Sequence, residues 1–148
     1  MKGVRSNVAI NGHPLHPMVV PFPLASLVGV LIADIVYIAT ADPFWATASF
    51  WLLGFGIVMG LLAGLLGFID FATLPPARSR TGWTHLIGNL AAIAISAVNL
   101  WLRLGDPAAA IVPTGLVLSV VVGAILVVTG WAGGELSYRH KIGVIDDE

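Results

Sequence analysis

The stretch from Phe44 to Leu74, FWATASFWLLGFGIVMGLLAGLLGFIDFATL, decides the fold. It holds one ionisable residue, Asp70, in a run longer than the roughly 20 residues a helix needs to cross about 30 Å of hydrocarbon. Strict apolar–polar alternation is absent. Backbone groups in lipid must find partners within their own segment, so the run predicts a membrane helix. Three further runs share its character, at about residues 18–40, 83–104 and 111–136.

The rest of the chain agrees. Of its 148 residues 57% are apolar and 10% charged, and the mean hydropathy is +0.94. Soluble domains carry about 25% charged residues, so this composition could not cover a water-exposed surface. Met1-Lys2-Gly3-Val4-Arg5 leads into a polar His/Pro segment, unlike the short apolar core of a secretory signal. The absence of cysteine excludes disulfides, thiolate metal sites and cysteine catalysis. A net charge of −1 and no basic run give no argument for nucleic acid.

The connections carry helix breakers: Asp42-Pro43, then Pro75-Pro76-Ala77-Arg78-Ser79-Arg80, then Gly105-Asp106-Pro107. Short links favour antiparallel neighbours, so residues 1–148 are expected to form one all-α domain, an antiparallel four-helix bundle. The second run exceeds a perpendicular span and must tilt or protrude. Lys2, Arg5, Arg78, Arg80, Arg139 and Lys141 flank the side holding both termini, while Arg103, Asp42 and Asp106 lie at the other. The positive-inside rule makes that basic side cytoplasmic. Gly56, Gly60 and Gly64 form a stripe that lets a partner helix approach closely, within the bundle or in a second copy.

All four histidines then fall on the cytoplasmic side. His13 and His16 stand in the tandem Gly12-His13-Pro14-Leu15-His16-Pro17, His85 opens the third run, and His140 follows the fourth. Imidazole is a general metal ligand and proton carrier, so the cluster is the best candidate site. Asp70 and Glu135 are candidate carboxylates to join or orient such ligands. Arg78, Arg80 and Arg139 could hold haem propionates through charge-assisted bonds. Simple pairing competes with these roles: Glu135 with Arg139 at i,i+4, and Asp70 with Arg78 or Arg80. Asp34 and Arg103 lie toward the outer ends of the first and third helices and are expected to pair, since intramembrane charges are costly alone. No nucleophile–base arrangement can be named. A transporter is disfavoured by the lack of an inverted repeat or a broken midplane helix.

The motifs resemble a family. They are the tandem His-Pro element with Pro21-Phe22-Pro23-Leu24, Asp42-Pro43-Phe44-Trp45, Ile69-Asp70-Phe71 before a proline, and Gly82-Trp83-x-His85 with Gly88-Asn89. Thr129-Gly130-Trp131-x-Gly133-Gly134-Glu135-Leu136 with Tyr138-Arg139-His140 completes the set. Together they are similar to the bacterial membrane proteins filed as domain of unknown function 2231. That resemblance places the chain in the bacterial inner membrane. Relatives are distantly similar to two-haem four-helix membrane cytochromes, and some resemble fusions with a Rieske domain, which implies electron transfer and a redox partner.

Three expectations follow. The first is a redox site, either haem b drawing on His13, His16, His85 and His140 with Arg78, Arg80 and Arg139, or a non-haem transition metal on His13, His16, His85, Asp70 and Glu135. The second is a non-redox metal site on His13, His16, His85, Asp70 and Glu135. The third is a cofactor-free accessory subunit in a homodimer or larger membrane complex.

Overall fold

The computed structural model describes residues 2–144. A two-stranded hairpin opens the chain, with β1 at Ala9–Ile10 and β2 at His13–Pro14. Five helices follow: α1 Leu15–Val19, α2 Pro21–Thr40, α3 Pro43–Thr73, α4 Arg80–Leu102 and α5 Leu116–Tyr138. With α1 and α2 read as one span and the π-turn Ile111–Gly115 joined to α5, four helices are long and apolar enough to cross a membrane. These bounds shift the sequence-based ones. The first span starts three residues earlier, at Leu15, and the third starts at Arg80 instead of Trp83. The regular part of the fourth begins only at Leu116, because Val112, ahead of Pro113, takes an extended conformation inside the turn.

Local chemistry sets the helix ends. Ala41 adopts a left-handed conformation and its N–H closes α2 on the Tyr37 carbonyl. One residue later Asp42 caps α3 by accepting from the Phe44 N–H at 2.9 Å, with Pro43 at the first helical position. Pro75 and Pro76 cannot prolong α3 and instead form a short 3-10 turn, after which Ser79 caps α4 through the Gly82 N–H. Asp106 accepts from the Ala108 and Ala109 N–H groups and turns the chain toward α5.

Helix α2 packs along α3 and α4 along α5, and the two pairs meet through α3 on α4 and α2 on α5. The inward face of α3 is small: Ala46, Ser49, Gly56, Gly60 and Ala63 are buried, with Leu53 the largest apolar residue among them. Its large side chains, Trp51, Phe55, Leu61, Leu65 and Phe68, point outward. A water-soluble protein would reverse that arrangement; in lipid, close backbone approach replaces the hydrophobic drive between helices. Gly56 meets Leu27 and Ser26 of α2, and Gly60 meets Ile93 of α4 and Pro23 of α2, so both serve packing inside the molecule. Gly64 departs from the expected stripe: a Cβ there would touch nothing within 4 Å. Leu27, Val30, Leu53, Ala92, Val122 and Leu126 form the apolar centre of the bundle.

Candidate functional site

Two of the four histidines come together. His16, on α1, places Nδ1 2.8 Å from the Ala63 carbonyl of α3. His85, on α4, places Nδ1 2.9 Å from the Thr129 carbonyl of α5. A carbonyl oxygen only accepts, so each Nδ1 donates its proton there, and an imidazole that donates through Nδ1 offers Nε2 as its ligand atom. The two rings meet edge to face with centroids 6.1 Å apart.

Glycine makes room for both rings. A Cβ at Gly67 would lie 2.8 Å from His16 Cε1 and Nδ1, and one at Gly133 would lie 3.0 Å from His85 Cε1. Each glycine stands four residues beyond the carbonyl that holds the same ring, one helical turn onward. Asn89 bonds the His85 carbonyl at 2.7 Å through Nδ2, while its Oδ1 faces the Thr129 hydroxyl at 3.4 Å. Gly88 lets the Thr129 side chain lie against its backbone.

The pair exposes a repeat in the chain that simple reading misses. His16 precedes Asp34 by 18 residues, and His85 precedes Arg103 by 18. The carbonyl–glycine pairs Ala63/Gly67 and Thr129/Gly133 repeat one another as well. The helix pair α2–α3 and the helix pair α4–α5 are thus built to one plan, with histidines at one end and a charged residue at the other. The usable signal was the equal spacing of chemically unlike residues, which a search for similar residues passes over.

At that other end Arg103 and Asp34 are fully buried and bonded on both oxygens, NH1–Oδ1 at 2.7 Å and NH2–Oδ2 at 2.8 Å. The Ser49 and Ser119 hydroxyls donate to Asp34 Oδ1 and Oδ2, and Asn99 accepts from Arg103 Nε at 3.0 Å. Every bundle helix contributes, which is how buried charge is tolerated. At about 1.5 Å per residue, 18 residues put this cluster roughly 27 Å from the histidines, close to one hydrocarbon thickness.

The other candidate residues lie elsewhere. His13 is exposed on β2, its Nδ1 3.1 Å from the Asn11 carbonyl. His140 is half-buried just past α5, and its backbone N–H bonds the Glu135 carbonyl. Asp70 accepts from the Ser6 hydroxyl and the Asn7 N–H, not from Arg78 or Arg80. Arg78 instead donates to the Phe71 and Ala72 carbonyls, capping the end of α3. Glu135 pairs with Arg139 at 3.3 Å, and Arg80 is exposed. Among the described residues no three His, Asp or Glu side chains converge as a metal group would need. Of the four histidines and two carboxylates expected to cluster, only His16 and His85 come together: Asp70 tethers Ser6 and Asn7, Glu135 pairs with Arg139, and His13 turns outward.

Among the described residues, four helices long and apolar enough to span a membrane, buried charge limited to the Arg103–Asp34 network and Asp70, and an outward shell of large apolar side chains all describe an integral membrane protein. No curated protein and no solved structure matches the chain significantly. The family model described as Predicted membrane protein (DUF2231) matches residues 12–146, and the chain belongs to that family.

Proposed function

We propose that this protein crosses the bacterial inner membrane as an antiparallel four-helix bundle with both termini cytoplasmic, and that His16 and His85 are paired imidazole ligands for haem b in an electron-transfer role. The observation that carries the reading is the matched pair of contacts, each Nδ1 on a backbone carbonyl at 2.8 and 2.9 Å, the arrangement that leaves Nε2 to serve as ligand. Haem b, if bound, would be held by His16 and His85, whose ring centroids lie 6.1 Å apart. Two ligands without a converging carboxylate fit bis-histidine haem better than a non-haem ion. Of the three candidate arginines, Arg80 is exposed at the histidine end and, among the described residues, has no side-chain partner, so it is the one placed to meet a propionate.

Bound haem b would supply reversible one-electron transfer. The protein's own part is to fix both rings through Ala63 and Thr129 and to clear space with Gly67 and Gly133. A cofactor-free accessory subunit is the second reading. One observation favours it: each imidazole already ties its own helix pair together.

The test is an oxidised and a reduced visible spectrum of detergent-purified protein, with metal analysis on the same sample. A Soret band that sharpens on reduction and is lost in His16→Ala and in His85→Ala, but kept in His13→Ala and His140→Ala, is the expected result. Near-stoichiometric metal without a Soret band would replace haem by a non-haem ion on the same pair. Neither signal after haem supplementation would leave the accessory subunit.

A further inference from the structure

Residues 4–14 and 141–143 lie at the histidine end of the bundle and are joined to it by few contacts. The N-terminal arm is fastened by Asp70: Ser6 Oγ donates to Oδ2 at 2.5 Å and the Asn7 N–H to Oδ1 at 2.8 Å, while Asn7 Nδ2 reaches Thr73 Oγ1 at 2.8 Å. The C-terminal arm folds back so that the Ile142 N–H bonds the Leu136 carbonyl at 3.1 Å. The arms then join each other. Val4 donates to the Lys141 carbonyl at 3.0 Å and accepts from the Gly143 N–H at 2.8 Å, a parallel bridge pairing Val4 with Ile142. Gly143, at a φ of 78°, fits against Pro14, where a Cβ would come within 3.1 Å of Pro14 Cγ.

The anchors are placed systematically. Asp70 stands three residues past Gly67, which seats His16, and Leu136 three residues past Gly133, which seats His85. The joined arms therefore link the turn of α3 that follows the His16 seat to the turn of α5 that follows the His85 seat. None of residues 4–14 is buried, and Ile10 at the hairpin tip is 61% exposed. Val4, Val8 and Ile142 are only half-buried, so the arms rest chiefly on hydrogen bonds, the mark of a segment that opens at lower free energy than the helices.

We propose that these two arms form a lid over the His16–His85 pair, latched by the Asp70 carboxylate, which governs access to the pair from the aqueous phase. The purpose of the lid rests on the pair being a ligand site; its opening and closing do not.

The lid is tested by the rate at which diethylpyrocarbonate modifies His16 and His85, mapped by mass spectrometry, with a free histidine peptide added as the reference. Protein in vesicles is first stripped of bound haem and metal, so that the result is independent of any cofactor. Asp70→Ala should speed modification of both histidines roughly tenfold, because two hydrogen bonds to a charged acceptor are lost. The chain has no cysteine, so Val4→Cys with Ile142→Cys permits a cross-link that closes the lid. The oxidised form should react more slowly than the wild type, and reduction should restore the wild-type rate. Amide exchange in α3–α5 separates lid opening from unfolding, and the cross-linked form carries the test if Asp70→Ala does not fold. Equal rates in the wild type, the open variant and the cross-linked form would overturn the lid. Altered rates in a protein that shows no Soret band and no metal would keep the lid and remove only the proposed occupant.

Discussion

Arg103 grips Asp34 through both carboxylate oxygens, at 2.7 and 2.8 Å, and neither side chain reaches solvent. The pair joins α2 to the residue that closes α4, and the hydroxyls of Ser49 and Ser119 bring in α3 and α5. Its geometry decides how it responds to substitution. Removing one partner leaves a charge with no water to turn to, whereas removing both leaves mainly a packing problem.

Arg103→Met is therefore expected to cost about 3–5 kcal/mol, the range for breaking a buried pair from one side. Asp34→Leu combined with Arg103→Met should recover at least half of that loss. Unfolding of both variants in detergent micelles, compared as a double-mutant cycle, checks the sign of the coupling. A double variant no more stable than the single one would show that the shell of Ser49, Asn99 and Ser119 depends on the charges themselves.

The glycines divide by what surrounds them. Gly67→Ala would press on His16 and Gly133→Ala on His85, since the added carbon falls within about the van der Waals limit of each ring. Each change should weaken the bond to Ala63 or Thr129, a contribution of about 1 kcal/mol, and lower ligand content at the pair. Gly56→Ala meets Leu27 and should destabilise without touching the histidines. Gly64→Ala and Gly130→Ala meet nothing within 4 Å and should leave stability and ligand content unchanged. Thermal unfolding and the Soret or metal signal, measured across all five variants, check this ordering.

The spans were readable because lipid imposes a length and a composition, and Phe44 to Leu74 satisfies both over its whole run. The ends were less readable. Arg80 and Thr81 look too polar to begin a membrane helix, yet the Ser79 cap starts α4 there and moves His85 to its second turn. Within the site, the sequence could say which residues share a side of the bundle but not which share a contact. His13 and His16 sit in equivalent His-Pro motifs. Only the hairpin turn at Asn11 and Gly12, both at positive φ, sends one outward while the other enters α1. Asp70 reads as a metal-site carboxylate because it shares a side of the membrane with the histidines, but its partners, Ser6 and Asn7, come from a segment with no helical signal at all.

Ser96 is fully buried on α4, and its hydroxyl alone among buried side-chain groups of the described residues lacks a hydrogen-bond partner. It faces Leu27, Val30, Leu53 and Val122 beside the amide of Asn99. A buried hydroxyl without a partner costs about 1–3 kcal/mol, and truncation to alanine removes that cost while deleting one atom. Ser96→Ala should therefore be as stable as the wild type or more so, by up to roughly 1 kcal/mol. A clear loss of stability would mean that the hydroxyl finds a partner, such as an ordered water, in the folded protein.

The proposed orientation makes a prediction that needs no cofactor. Asp42 and Asp106 lie in the two connections at the Arg103 end, both exposed, and Arg80 lies exposed at the histidine end. Because the chain has no cysteine, single Cys substitutions at these positions report their side of the membrane without background. In intact inner-membrane spheroplasts, Asp42→Cys and Asp106→Cys should react with a membrane-impermeant maleimide, and Arg80→Cys only after lysis. The asymmetry of basic residues drives this expectation: Lys2, Arg5, Arg78, Arg80, Arg139 and Lys141 flank one side, against Arg103 on the other, and Arg103 is neutralised within the bundle by Asp34. The reverse labelling pattern would place the His16–His85 pair on the outer face, and a partner donating electrons to it would then have to be sought outside the cytoplasm.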